Sequence, residues 1–416
     1  MAAVSCSDDA ETVKLEGVTL APTTVSMLPA ETTQLTLTVQ PEKADYKAVL
    51  WTSDNEAVAT VDEQGLVTAV EAGTANIRVE VKEFSALCAV TVFAGNKLAD
   101  NAQVGDFYLA DGSLLDRETD AATITNANVI GIVFTTDVTR MGEAEKEALR
   151  AKGVEPHGLV IATRTPRQVT DLFYWYMTPD YNGSRDESEI GLPKLWDNFE
   201  EGEGKEHETY ALVNNDLEGY KYNMAIRTER KADFEAGYYG AIKAAADFEI
   251  EVPAPAASTG WYLPSAGQWF DVLRNLAGVE LSDTESSFFL IDDYGNFSWM
   301  NKGRVNDILN ECMAHVADNM KTPYASLGNQ DQYWTSSTVS DDQARVIVFD
   351  NASFVYSWWY RKYFQGRCAP YSDSDRKGSD PTGRKPSAAE GSRRTGASPA
   401  GKGRREGPRE KGGCRS

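Results

Sequence analysis

Between residues 17 and 94 apolar and polar positions alternate in short runs. Gln34-Leu-Thr-Leu-Thr-Val39 sets Leu35, Leu37 and Val39 on one side, and Pro41 ends the run. Segments 48–53, 58–61, 66–70, 75–81 and 86–93 repeat the alternation, with turn residues at Asp54-Asn55, Gly65 and Gly73. A period of two belongs to a strand with one covered face. Six or more such strands in about 80 residues, spaced roughly 8–12 residues apart, predict a β-sandwich.

The pattern changes after residue 100. Asp106-Phe-Tyr-Leu-Ala-Asp111-Gly112 reads as a strand entering a hairpin turn. Segments 129–134 and 158–162 are continuously apolar, as strands buried on both faces are. Helix formers fill 225–248, where Phe234, Tyr238, Ala241 and Ala245 recur at helical spacing, so one long helix is expected there. A second helix follows Pro264. Ser265 is its N-cap, Trp269, Val272, Leu273 and Leu276 form its apolar face, and Gly278 closes it. The charge runs in 183–189 and 200–206 read as solvated loops, and 252–258 is a Pro-Ala-rich connection. Strands mixed with helices make this segment α+β.

Charge and composition narrow the chemistry. With 41 Lys+Arg against 63 Asp+Glu, the 416-residue chain carries −22, opposite to the basic face that phosphate binding needs, so no nucleic-acid partner is expected. No run reaches the ~18 apolar residues of a membrane span. His157, His207 and His315 are widely spaced, which argues against zinc hydrolases and histidine triads. No D-x-[DN]-x-[DN]-G loop marks a calcium site, and neither a metal nor a cofactor is expected. Cys6, Cys88, Cys312, Cys368 and Cys414 form no C-x-x-C. Cys88 falls on the apolar side of its strand and is expected to be buried. Spacing leaves open whether Cys312 and Cys368 pair. From 371 to 416, 12 Lys+Arg stand against 6 Asp+Glu among Gly, Ser and Pro, so a disordered basic tail is expected.

Several runs carry specific resemblances. Leu50-Trp-Thr-Ser-Asp54, Val58-Ala-Thr-Val-Asp62, Gly65-Leu-Val-Thr-Ala69 and Gly73-Thr-Ala75 resemble the bacterial Ig-like group 2 domain. That resemblance implies a stalk or spacer over 17–94, with Trp51 as a core plug. Further on, Gly260-Trp-Tyr-Leu-Pro-Ser265, Tyr333-Trp-Thr-Ser-Ser337, Ala344-Arg-Val-Ile-Val-Phe349 and Gly366-Arg367-Cys368 follow one another in the order of a C-type-lectin-like domain. This second resemblance implies that fold over 100–370. Formylglycine-generating enzymes and the variable proteins of diversity-generating retroelements share it. The enzymes' closely spaced cysteine pair has no counterpart, because Cys312 and Cys368 stand 56 residues apart. The lectin calcium signatures E-P-N, Q-P-D and W-N-D are missing too. A non-enzymatic binding role is therefore expected.

Val355-Tyr-Ser-Trp-Trp-Tyr-Arg-Lys-Tyr-Phe364 holds six aromatic residues in ten, and a strand cannot turn adjacent rings to the same side. Exposed Trp and Tyr give large contact area at little entropic cost. Resemblance to the retroelement-diversified proteins implies a variable, ligand-contacting surface made of Arg345, Ile347, Asp350, Asn351, Ser353, Val355, Tyr356, Ser357, Trp358, Trp359 and Tyr360. Val346, Val348, Phe349 and Phe354 alternate with them as scaffold. The other reading of these rings is that they are core.

At the other end, Met1-Ala-Ala-Val-Ser-Cys6, followed by Ser7, Asp8 and Asp9, resembles the lipobox of bacterial surface lipoproteins, with Ala3 where leucine is commoner. It implies a lipid anchor on Cys6, the only expected contact with a membrane, and a place on the outer-membrane surface. The expected whole is a multidomain chain: a leader (1–16), an all-β Ig-like sandwich (17–94), an α+β C-type-lectin-like domain (100–370) and a basic tail (371–416). Such a chain suits an adhesin for a protein or glycan on another cell or host surface. A phage tail-fibre receptor-binding protein of the same architecture is the first alternative, and a formylglycine-generating-like enzyme the last.

Overall fold

The computed structural model describes residues 13–165, 173–195, 205–256, 258–281, 289–291, 296–300, 305–324, 330–350, 354–363, 365–366 and 371–373. The alternating N-terminal runs become nine short strands: β1 (Gly17–Ala21), β2 (Thr24–Met27), β3 (Thr32–Gln34), β4 (Thr36–Gln40), β5 (Leu50–Ser53), β6 (Ala59–Val61), β7 (Leu66–Ala69), β8 (Gly73–Val81) and β9 (Phe84–Val92). They pair as β2-β9-β8-β5, β3-β7-β6 and β1-β4, around one core that includes Leu35, Val67, Ile77, Val79, Cys88 and Val90. Cys88 is buried and free, and Trp51 packs half-buried against this core. This is the Ig-like module.

The second domain runs through β10 (Phe107–Leu109), β11 (Leu114–Leu115), α1 (Ala121–Asn126), β12 (Val129–Thr135), α2 (Glu143–Ala151), β13 (Leu159–Ala162) and β14 (Phe173–Tyr174). Helices follow: α3 (Lys205–Asn214), α4 (Gly219–Glu229), α5 (Lys231–Glu235), α6 (Gly240–Asp247) and α7 (Ala266–Asn275). Then come β15 (Phe289–Ile291), β16 (Phe297–Met300), α8 (Val305–Cys312), β17 (Gln330–Thr338), β18 (Gln343–Asp350), β19 (Phe354–Arg361), β20 (Gln365–Gly366) and β21 (Tyr371–Asp373).

Two five-stranded antiparallel sheets organise this domain, ordered β11-β10-β12-β13-β21 and β15-β16-β19-β18-β17. Between them lies the largest core, where Phe107, Ile132, Phe134 and Ile161 of the first sheet share a cluster with Phe297, Trp299, Tyr333, Ile347 and Val355 of the second. Helix α7 adds Trp269, Phe270, Val272 and Leu273. The far face of the first sheet is covered in turn, with Tyr108, Ile130, Val133 and Val160 against Phe248 and Trp261. So is that of the second, with Trp334, Val346 and Val348 against Ile226, Tyr239 and Ile242. Both sheets are therefore covered on both faces over much of their area, and this explains why β13 is apolar throughout and β12 carries no polar side chain before Thr135.

Three expectations are corrected. Residues 225–248 form not one helix but the end of α4, then α5 and α6: the backbone leaves helical geometry at Arg230 (φ −114°, ψ 28°) and turns again at Gly237 in a left-handed conformation (φ 82°) that helices do not admit. The acidic stretch 183–189 is not simply a solvated loop, since Glu187 is buried. And Tyr371–Asp373 pairs with Leu159–Ile161, so the first sheet reaches into the segment assigned to the tail. Helix α7, by contrast, begins at Ser265 as expected, with a capping box closed by Gln268.

Candidate functional site

The Trp261–Ser265 and Tyr333–Ser337 runs meet in the interior. Ser336 N donates to Pro264 O at 2.7 Å, and Ala266 N donates to Ser337 Oγ at 2.8 Å, which joins the Trp261–Ser265 run to β17. Asp216 ties both together. Ser265 Oγ donates to its carbonyl at 2.6 Å, Tyr222 OH to its Oδ1 at 2.7 Å, and Ser337 Oγ to its Oδ2. Burial pushes the Asp216 carboxyl up, against the pull of the Ser337 and Tyr222 hydroxyls. Ser265 and Ser337 are fully buried, so these serines hold the fold and present no nucleophile to solvent. Asp216 escaped the sequence reading because nothing in Asn-Asn-Asp-Leu-Glu distinguishes it from an ordinary polar turn.

Strand β19 is the central strand of its five-stranded sheet, between β16 and β18. Pairing of Arg345 with Trp359, Ile347 with Ser357 and Phe349 with Val355 sets one side of the sheet; pairing of Ala344 with Tyr360, Val346 with Trp358 and Val348 with Tyr356 sets the other. The first side faces the core between the sheets. There Ile347, Val355 and Ser357 are fully buried, and Arg345, nearly so, lies with its guanidinium 5.3 Å from the Phe297 ring centroid. On the second side Val346 and Val348 are buried, as is Tyr360, whose hydroxyl accepts Gln332 Nε2 at 3.0 Å.

The sequence-derived surface therefore does not come together as one face. Arg345, Ile347, Val355, Ser357 and Tyr360 lie in the interior because both sides of the sheet are covered. Half-exposed on the second side are Tyr356 and Trp358, whose ring centroids sit 4.6 Å apart at 45°. Phe173, Phe234 and Tyr238 pack half-buried against the same cluster as this pair. Trp359 is half-buried on the side of Arg345. Asp350 ends β18, its backbone paired with Gln330. Asn351, Ser353, Cys6 and Cys368 lie outside the described residues; Cys312 is half-buried and free.

Beyond Arg361 the strand is anchored by charge. Lys362 Nζ, buried 4.7 Å from the Trp175 ring centroid, donates to Arg185 O at 2.9 Å. Burial pulls this ammonium down to about 8, while Glu187, Asp341, Asp342 and Asp186 act the other way. Glu187 accepts the Tyr239 hydroxyl at 2.6 Å and lies 3.5 Å from Arg230. These groups hold the 183–194 segment against the end of β19 and are used up in doing so. Among the described residues no group of three His, Cys, Asp or Glu side chains could hold a metal ion, and no helix is long and apolar enough to cross a membrane.

The family model of the bacterial Ig-like domain (group 2) matches residues 14–91, and that segment belongs to this family. A Bacteroides ovatus protein named as fimbrium tip subunit Fim1C is 27% identical over 190 residues, covering 41% of this chain and 33% of that protein. An alpha-L-arabinofuranosidase of Bifidobacterium longum is 36% identical over 104 residues, covering 24% of this chain and 10% of the enzyme, and that match falls on the Ig-like region. The chain thus spans a third or less of the length of these curated relatives. A crystal structure of a fimbrial protein from Bacteroides ovatus aligns with 86% of this chain and 71% of its own, at 14% identity and a TM-score of 0.41.

Proposed function

We propose that this chain is a non-enzymatic bacterial surface adhesin in which the Ig-like module is a spacer and the second domain a lectin-like head. The observation that carries the proposal is the Tyr356–Trp358 pair, two rings left half-exposed by a strand whose other described residues from Val355 to Tyr360 are buried, Trp359 excepted. Aromatic pairs of this kind anchor protein surfaces and sugar rings alike. Likeness to a protein named as a fimbrium tip subunit supports a place on the cell surface, and the joined Trp261–Ser265 and Tyr333–Ser337 motifs support the lectin-like reading. In the same proposal Cys6 carries the lipid anchor. The strand, if diversified by a retroelement, would carry its variable positions at Tyr356, Trp358 and residues 350–353, since Ile347, Val355 and Ser357 are core.

The full chain would be screened against glycan and surface-protein arrays beside Y356A/W358A. Loss of at least about tenfold in affinity with an unchanged melt is the expected result. Undiminished binding by the double variant would refute the assignment of the contact face.

A further inference from the structure

The passage from the Ig-like module to the head contains no slack. Strand β9 ends at Val92, and Phe93, buried, still donates its N–H to Met27 O at 2.9 Å inside the module. The next residue already belongs to the head: Ala94 N donates to Asp111 Oδ2 at 2.7 Å. Gly95 N follows with Ser113 Oγ at 2.9 Å, and Asn96 N and Lys97 N both donate to Leu114 O at 2.9 and 3.1 Å. Leu114 N returns a bond to Lys97 O at 2.9 Å, so the passage lies as an extra row along β11, the edge strand of the first sheet.

Side chains fix the same strip. Lys97 Nζ lies 3.0 Å from Asp106 Oδ2 and 2.5 Å from Asp116 Oδ2, with Asp106 buried. Asn96 Oδ1 accepts Asp116 N at 2.9 Å. At Gly95 a Cβ would stand 2.2 Å from Leu114 O and 2.6 Å from Ser113 Oγ, a separation that only glycine permits. A flexible linker needs several residues with unfixed dihedrals, and here adjacent residues are bonded into different domains.

We infer that residues 93–97 form a hingeless junction, so that the module holds the head at one fixed orientation and the two tumble as a single body. A surface protein built this way presents its head at a set angle instead of sweeping a cone. The inference stands on the junction alone and is independent of what the head binds.

Backbone 15N relaxation on the full chain reads it directly. The expected result is one rotational correlation time for residues 17–92 and for the head. A module correlation time shorter than the head's by a third or more would overturn the inference. As a second arm, Gly-Ser-Gly-Ser would be inserted between Phe93 and Ala94, which leaves both domains intact. The module's correlation time should then fall by about half, as for a small domain on a flexible tether. If the inserted chain still tumbles as one body, the rigidity arises elsewhere and the assignment to residues 93–97 fails.

Discussion

Strands β8 and β9 of the Ig-like module and β18 and β19 of the head carry similar alternating sequences, yet the alternation means different things. In the module it sorts core from solvent: Ala75, Ile77, Val79 and Val81 are buried, while Thr74, Asn76 and Arg78 between them are exposed. In the head both sets are inside, Val346 and Val348 on one core and Ile347 on another. The cause is thickness. A sheet with one core behind it has a wet face, whereas a sheet between two cores is covered on both sides over most of its area, and there period two separates two interiors.

The sharpest way to break this comparison is to put one charge on the nominally outward position of each region. Leu87, on the outer side of β9, is 49% exposed, and Leu87→Asp should change stability by less than about 0.5 kcal/mol. Ile347, read from the sequence as a surface contact, is fully buried, and Ile347→Asp should remove at least about 4 kcal/mol and leave the head unfolded. Eight of the nine tryptophans lie beyond residue 100, so urea unfolding followed by fluorescence reports on the head. A loss of under about 1 kcal/mol at Ile347 would mean that this side of the sheet is wet.

The same contrast explains what could be read from the sequence. The module was legible where Asp54-Asn55, Gly65 and Gly73 mark the turns and a strand such as β8 has one buried side, whereas β1 and β2 and the Lys82-Glu83 turn carried no such signal. In the head, local signals held where they are self-contained, as in the Ser265 cap, the Gly112 hairpin and the apolar β12 and β13. The candidate face was legible only in part. That Tyr356 and Trp358 reach the surface while Val355, Ser357 and Tyr360 do not depends on α4, α6 and β14 covering part of the sheet from positions over a hundred residues upstream. Asp216 and Glu187 were invisible for the same reason, since an acid's burial is decided by elements distant in the chain.

Thickness also lets the head enclose charge. Among the described residues no charged side chain is buried in the module, whereas the head buries Glu145 completely. Burial pushes this carboxyl from 4.5 up to about 7; the Tyr262 and Thr259 hydroxyls, donating at 2.7 and 2.9 Å, pull it down, and Glu218 pushes it further up. An acid raised in the folded state keeps a proton that the unfolded chain has released. Its stability contribution is therefore complete below pH 4.5, declines between 4.5 and 7, and stays lost above. Glu145→Gln, which imitates the protonated acid, should stabilise the head at pH 8 by on the order of 3 kcal/mol and leave it nearly unchanged at pH 4. Parallel pH–stability curves for the variant and the wild type would exclude Glu145 as the source of the slope.

The smallest contrast concerns two glycines, one in each region, that share a left-handed backbone and differ in surroundings. Gly65 in the module has φ 81°, and a Cβ there would stand 2.6 Å from Cζ2 of Trp51. Gly191 in the head has φ 86° with nothing within 4 Å. The left-handed conformation alone costs a non-glycine residue about 1 kcal/mol, and forcing a wedged ring aside adds about 1–2 kcal/mol. Gly65→Ala should therefore destabilise the module by about 2–3 kcal/mol and Gly191→Ala the head by about 1 kcal/mol. A second substitution separates the two terms at Gly65. Trp51→Leu withdraws the ring, so the further loss from adding Gly65→Ala in that background should shrink to about 1 kcal/mol, a coupling visible in a double-mutant cycle. Additive losses would mean that Trp51 does not press on Gly65, and that the module's turn needs glycine for its backbone angle alone.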